Sequence, residues 1–378
     1  MRQRLGGGQH IIALVALIVG LFIVLSVLAP NTYPTFRNIA SMANQMAPIG
    51  ILALCVGLTF LVGGIDLSIV AVANGAAIGL ALTVTALEPS LGAGPATVVG
   101  LLVAVTVGAI AGTVNGLLVS YLKVHPIPIT LGTMGIFTGI ATGITGGSTV
   151  YGTGTLNALG RGTVAGIPIS FLFFAAIVVI LSVVTTRTRF GFRVYSVGAS
   201  EKVARFARMN VARVQVGTYV LSGILASLAG ILMFGGTNSA NVSFGSSFLI
   251  QAILVAVVTG IDTFGGRGRI ALVVLSVAAM QQIQTGINMA LGTWGGANFA
   301  AEFGWGVLLI AVLGISQRMG DGSRAPGWRF WLKGKDQRPD AAPPAATEPE
   351  LAGPAGGAVD PDGDTTGALR TTDQDPRT

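Results

Sequence analysis

The stretch LVGGIDLSIV, residues 61–70, sets an aspartate in the middle of an apolar run, with no other charge within 21 residues on either side. A second stretch, VTGIDTFGGRG at 258–268, repeats the Gly-Ile-Asp wording with Asp262, and these two are the only aspartates in the first 320 residues. A carboxylate among apolar residues is costly unless it is paired or hydrogen-bonded. What surrounds the two phrases therefore decides what kind of protein this is.

The chain of 378 residues is 52% apolar and 10% charged, with mean hydropathy +0.75. Soluble domains carry about 25% charged residues. The composition defines an all-α polytopic membrane protein. The 55 glycines suit that class, because membrane helices pack through small residues. One cysteine, Cys55, forms no disulfide or thiolate metal site alone, and His10 and His125 lie far apart, so no metal site is expected.

A span needs roughly 20 apolar residues. Charges punctuate the chain into ten expected spans, at 11–29, 40–63, 67–87, 96–120, 127–146, 168–186, 214–235, 247–262, 270–290 and 303–317. The span at 247–262 is short, and suits little tilt or a re-entrant turn. Residues 11–29 are longer than the apolar core of a cleaved signal and read as a signal anchor. With the N-terminus in the cytoplasm, Lys123, the basic loop 187–213, Arg267, Arg269 and the basic residues of 318–338 all fall inside. Only Arg37 and Arg161 fall outside, so both termini are expected in the cytoplasm.

Around the membrane region 11–317, residues 1–10 read as a short cytoplasmic tail, and the basic segment 318–338 suits the inner membrane surface or solvent. Residues 339–378 are acidic and rich in Pro, Ala and Gly, which predicts disorder. Residues 1–338 carry a net charge of +13 and residues 339–378 carry −6, so the basic excess orients the chain in a membrane and does not point to nucleic acid.

Catalytic signatures are missing from the sequence. GGRGRIA at 265–271 lacks the Lys-Ser/Thr pair of a phosphate loop, and neither a zincin motif nor a serine-nucleophile elbow occurs. ATP, if it drives this protein, is bound by another subunit. The chain is not expected to be an enzyme.

The inside loop contains ASEKVARFARMN. Ser200 is an N-cap candidate and Asn210 a candidate helix end, with Val203, Phe206 and Ala207 on one face and Glu201, Lys202, Arg205 and Arg208 beside it. A helix lying on the membrane surface and a helix docking into a partner both fit this pattern. Amides recur inside the spans. Gln281, Gln284 or Thr285, and Asn288 share one face of the ninth span, with Asn44, Gln45, Asn74, Asn115 and Gln251 elsewhere. Such amides either bond helices together or line a polar pathway, and the ninth-span stripe exceeds what packing needs. Trp294 and Trp305 read as interfacial anchors.

Four stretches then carry a resemblance. FGFRVYSVGASEKVARFARMNVARVQVGTYVLSGILASLAGIL (190–232), GGIDLS (63–68), PITLGTMGIFTGIA (128–141) and FGGRGRI (264–270) resemble, in the same order, segments of ribose/xylose-type permeases of bacterial ABC sugar importers. The resemblance covers about residues 11–317. It implies a permease subunit for a monosaccharide or similar small polyol, paired with a second permease copy or a sister chain. It also implies a cytoplasmic ATPase that binds ATP and Mg, an extracytoplasmic sugar-binding protein, and no cofactor in this chain. Residues 200–210 would then be the ATPase coupling helix, and the amides the pathway candidates. Departures such as Ala199-Ser200 and Leu249-Ile250-Gln251 leave the sugar open.

An ion-coupled secondary transporter is the alternative. It needs an ionisable residue near mid-membrane, whereas Asp66 and Asp262 are expected at cytoplasmic turns. There Gly63 and Gly64 end one helix, and Asp66 caps the next, meets Lys123 or Arg187, or touches a substrate or ion directly. Asp262 repeats the device before Gly265 and Gly266.

Overall fold

The computed structural model describes residues 2–122, 124–291, 303–307 and 310. The tenth expected span falls mostly outside these residues, and Lys123, Trp294, the basic segment and the acidic tail fall wholly outside them. Within them the chain is a helical bundle: α1 (Arg2–Leu28), α2 (Phe36–Leu61), α3 (Ile69–Leu91), α4 (Ala93–Leu122) and α5 (Pro126–Thr145). Then come α6 (Asn157–Arg161), α7 (Ile169–Arg187), α8 (Arg189–Ala199), α9 (Glu201–Phe206), α10 (Val211–Thr237), α11 (Phe248–Val258) and α12 (Val273–Leu291). Among the described residues, eight helices are long and apolar enough to cross a membrane.

Differences from the expected spans have local causes. α1 already begins at Arg2, inside the expected tail. α11 has 11 residues, about 16 Å at 1.5 Å per residue, which is half a bilayer. Its C-terminal cap at Thr259 leads into Gly260 at φ 79°, a left-handed position that stops the helix. The loop 147–168 folds into small pieces: β1 (Val150–Tyr151), and the hairpin β2 (Thr163–Val164) with β3 (Ile167–Pro168). β1 pairs antiparallel with β4 (Ser239–Ala240), which joins that loop to the end of α10.

The core is α2, fully enclosed from Ile51 to Leu61 by its neighbours, together with α3, α4 and α10. α4 packs on α10 through Gly108, Gly112 and Gly116, spaced by four residues on one face. A Cβ at Gly108 would overlap the Gly223 carbonyl, and one at Gly116 would lie 2.8 Å from the Val216 Cα. Only hydrogen side chains let the two backbones meet there, the usual close approach of membrane helices.

Gly108→Ala should therefore lower the melting temperature of the detergent-solubilised chain by several degrees, since overpacking costs about 1–3 kcal/mol. Gly75→Ala on α3, where nothing lies within 4 Å of the new Cβ, should leave it unchanged or raise it. Equal melting shifts for the two would contradict the packing role.

Candidate functional site

The first Gly-Ile-Asp phrase forms the α2–α3 turn. Gly63, at φ 79°, closes α2, with its amide on the Phe60 carbonyl at 2.8 Å and the Gly64 amide on Thr59 at 2.9 Å. A Cβ at Gly64 would come within 2.6 Å of the Tyr219 hydroxyl. Asp66 Oδ1 accepts the Ser68 amide at 3.0 Å, the Ser68 hydroxyl at 2.7 Å and Asn115 Nδ2 at 3.4 Å. Asp66 Oδ2 accepts the Ser222 hydroxyl at 3.3 Å. Asn115 Nδ2 also donates to Ser68 Oγ at 2.7 Å. The Ile65 carbonyl receives Tyr219 and Thr130 hydroxyls, both at 3.3 Å.

This corrects the expected place of Asp66. It is 1% exposed, and its partner Asn115 lies seven residues, about 10 Å, inside the end of α4 at Leu122. The carboxylate is in the bundle and not at its edge, because polar side chains from α4 and α10 reach it there. Among the described residues the only ion pair is Arg205–Glu201, so Asp66 meets no Arg187 gate. Ser68 stands in the quoted phrase, but Ser222, Tyr219 and Thr130 gave no sequence signal. Hydroxyls in spans commonly bond their own preceding turn, as Thr218 does to Val214.

The second phrase builds a matching turn. Asp262 Oδ1 accepts the Phe264 amide at 2.9 Å, and Gly265 and Gly266 both take positive φ. The two turns touch: Gly266 N–H donates to the Leu61 carbonyl at 2.9 Å. Gly198 of α8 sits against both, where a Cβ would overlap Leu61. The Tyr195 hydroxyl of α8 donates to Gly268 at 2.9 Å. Burial pushes that hydroxyl above its usual pKa, against a smaller opposing pull from Arg269, so it stays a donor.

α9 follows directly. Ser200 caps it, accepting the Val203 amide at 3.4 Å, and Glu201 pairs with Arg205 at 2.6 Å. Lys202 is exposed. Val203 and Phe206 are 65% and 89% exposed, so the apolar side of α9 has no partner among the described residues. Asn210 does not close α9. Arg208, at φ 57°, ends it, and Asn210 caps α10 by accepting the Arg213 amide at 3.0 Å. An Asx side chain serves a following helix better than a preceding one.

The amides separate into groups. Gln251, Gln281 and Gln284 line one cavity of about 10 Å³ between α2, α11, α12 and residues 303–307, with Ile49, Met280 and Trp305. Gln281 donates to Gln45 at 3.2 Å, and Trp305 Nε1 to Gln284 Oε1 at 2.8 Å. Trp305 is 4% exposed and is a wall of this cavity, which corrects its reading as an interfacial anchor. Asn288 lies two turns along α12, its Oδ1 unbonded among the described residues. The others serve the frame. Asn74 holds the α10–α11 loop through the Val242 and Phe244 carbonyls, both at 2.8 Å. Asn44 accepts from Ser170 of α7, and Asn115 belongs to the Asp66 network.

Buried spans, a polar cavity without a charged lining residue, and an exposed helix on a glycine-packed knot define a membrane permease component. The family model described as branched-chain amino acid transport system / permease component matches residues 38–315, and the chain belongs to that family. It is 34% identical over 297 residues to the ribose import permease protein of Bacillus subtilis (strain 168), covering 78% of this chain and 88% of that one. It is 33% identical over 276 residues to an autoinducer 2 import system permease protein of Photorhabdus luminescens, covering 71% and 80%. It is 32% identical over 280 residues to the D-allose transport system permease protein of Escherichia coli (strain K12), covering 73% and 82%. No solved structure matches the chain.

Asp66→Asn keeps the oxygen that takes the Ser68 donors, whereas Asp66→Ala removes the acceptor of four buried hydrogen bonds, at about 1–3 kcal/mol for each donor left unpaired. Melting in detergent should show the asparagine variant within a few degrees of the parent and the alanine variant far below it. Equally large losses would remove the turn-holding role.

Proposed function

We propose that this chain is the membrane subunit of an ATP-binding-cassette importer for a monosaccharide or similar small polyol, and that its path runs through the cavity of Gln251, Gln281, Gln284 and Trp305. That cavity is the observation that carries the reading. Its lining offers amide donors and acceptors, an indole and aliphatic groups, but no charge. A sugar asks for such partners. An amino acid zwitterion, the substrate class in the family's title, would be desolvated here without a counter-charge, at a high cost. The ribose and D-allose permeases among the relatives point the same way.

Permeases of this kind work with an ATPase and a substrate-binding protein. Val203 and Phe206 on α9 are the contact we assign to the ATPase, and the fold beneath them ties α8 to both Gly-Ile-Asp turns. A second permease chain is supported by α5. Gly135, Gly139 and Gly143 repeat the four-residue glycine spacing of α4, yet nothing lies within 4 Å of a Cβ at any of them. On α4 that spacing admits α10; on α5 it remains open for a helix of another chain.

The test is reconstitution of the full chain with its ATPase and binding protein, measuring ATP-dependent uptake of labelled ribose and allose. Gln281→Leu and Gln284→Leu should each cut uptake roughly tenfold or more while subunit association persists, since a lost buried hydrogen bond costs about 1–3 kcal/mol. Uptake by this chain alone, driven by a proton gradient, would establish the ion-coupled alternative instead.

A further inference from the structure

Four arginines on the side of the molecule that carries α8 and α9 have no use in the path described above. Arg189 and Arg193 of α8, Arg208 at the end of α9 and Arg213 in the first turn of α10 border one groove of about 560 Å³. All four are exposed. The described residues contain the acids Asp66, Glu88, Glu201 and Asp262. None of these lines the groove, and Glu201 is already bonded to Arg205 at 2.6 Å. Four guanidinium groups around one space repel one another unless an anion enters from outside. Asn210, the only other side chain there with a carbonyl acceptor, spends its oxygen on the Arg213 amide at 3.0 Å.

The position of the groove selects the anion. Arg187 is the last residue of the spanning helix α7, and Arg189 opens α8 two residues later. Val211 begins the spanning helix α10, and Arg213 is its third residue. The groove thus lies where two spans leave the hydrocarbon, at the depth of lipid headgroups. Phe190 and Phe192 add an apolar wall, Phe192 being 66% exposed. Guanidinium groups bind phosphate oxygens in paired hydrogen bonds, and basic residues beside a span attract anionic lipid. We propose that this groove is a binding site for the phosphate headgroup of an anionic phospholipid in the leaflet on that side. The site does not depend on which solute the path carries.

Native mass spectrometry on the full chain, in micelles with equal phosphatidylglycerol and phosphatidylcholine, reads this directly, with melting against added phosphatidylglycerol as a second readout. The parent should retain phosphatidylglycerol selectively and gain thermal stability from it. The pairs Arg189→Gln/Arg193→Gln and Arg208→Gln/Arg213→Gln should each weaken retention roughly tenfold or more. Arg37→Gln, far along the chain at the start of α2, should not. Equal retention by parent and paired variants would overturn the proposal. So would stabilisation by millimolar inorganic phosphate matching that by the lipid, which would make the ligand a soluble anion. Loss of ATPase-subunit binding in the variants with lipid retention unchanged would overturn it in favour of an acidic protein surface.

Discussion

A carboxylate enclosed in a membrane bundle is tolerated only when its lone pairs are filled, and Asp66 shows how this fold does that. Its two oxygens accept four hydrogen bonds from Ser68, Asn115 and Ser222. The donors come from its own turn, from α4 and from α10, so the bonds that solvate the charge also fix three elements against one another. Neutral donors of this kind act at short range and demand geometry, unlike a surface ion pair. The α2–α3 turn is thereby anchored to the α4–α10 glycine pair. α2, which carries Ile49 to the cavity wall and Gln45 to its bond with Gln281, takes its position from that anchor.

The second consequence is mechanical. α9 is bonded through α8 to both Gly-Ile-Asp turns, by Tyr195 to Gly268 and by the seat of Gly198 against Leu61. The turn at 262–269 leads, through one 3-10 turn at Ile270–Leu272, into α12, the helix of Gln281 and Gln284. In the proposed reading, a push on α9 would pass through the close backbone seat of Gly198 and the Tyr195–Gly268 bond, with glycine at both meeting points. Coupling through such a packed knot needs no long wire of side chains. It requires only that α12 and α2 have two positions that a partner can favour differently.

Much of this was legible in the sequence for physical reasons. Spans are fixed by charge spacing and length, which need no tertiary knowledge, and the described helices follow the expected intervals to within a few residues, apart from α1, which begins at Arg2, and α11, which stops at Val258. Turn chemistry was local as well. Gly63 and Asp66 lie within three residues of each other, and their capping geometry is written in that phrase. The partners of Asp66 were not legible, since Ser222 and Asn115 lie 156 and 49 residues away and only packing brings them in. The same holds for the amides. Asn74, Asn115 and Gln281 look alike along the chain. Packing sends the first to a loop, the second to a carboxylate and the third to the cavity. Trp305 was misplaced because its end of the chain reads as interfacial, whereas a bond to Gln284 draws it inward.

The cavity also shows what opening must cost. At about 10 Å³ it has room for about one water, far less than a monosaccharide. On the proposed path, α2, α11, α12 and residues 303–307 would have to separate for a sugar to pass. Two polar contacts, Gln281–Gln45 and Gln284–Trp305, hold the polar part of that closure. A neutral hydrogen bond contributes a net of about 0.5–1.5 kcal/mol, so the pair opposes opening by only about 1–3 kcal/mol. The same donors and acceptors can pass to sugar hydroxyls once the walls part, so the polar cost of opening is largely recovered. The remaining resistance is apolar contact among Ile49, Val255, Val277 and Met280, which a hydroxylated solute cannot replace. In the proposed reading that part of the work comes from movement imposed on the helices, received through the exposed apolar side of α9.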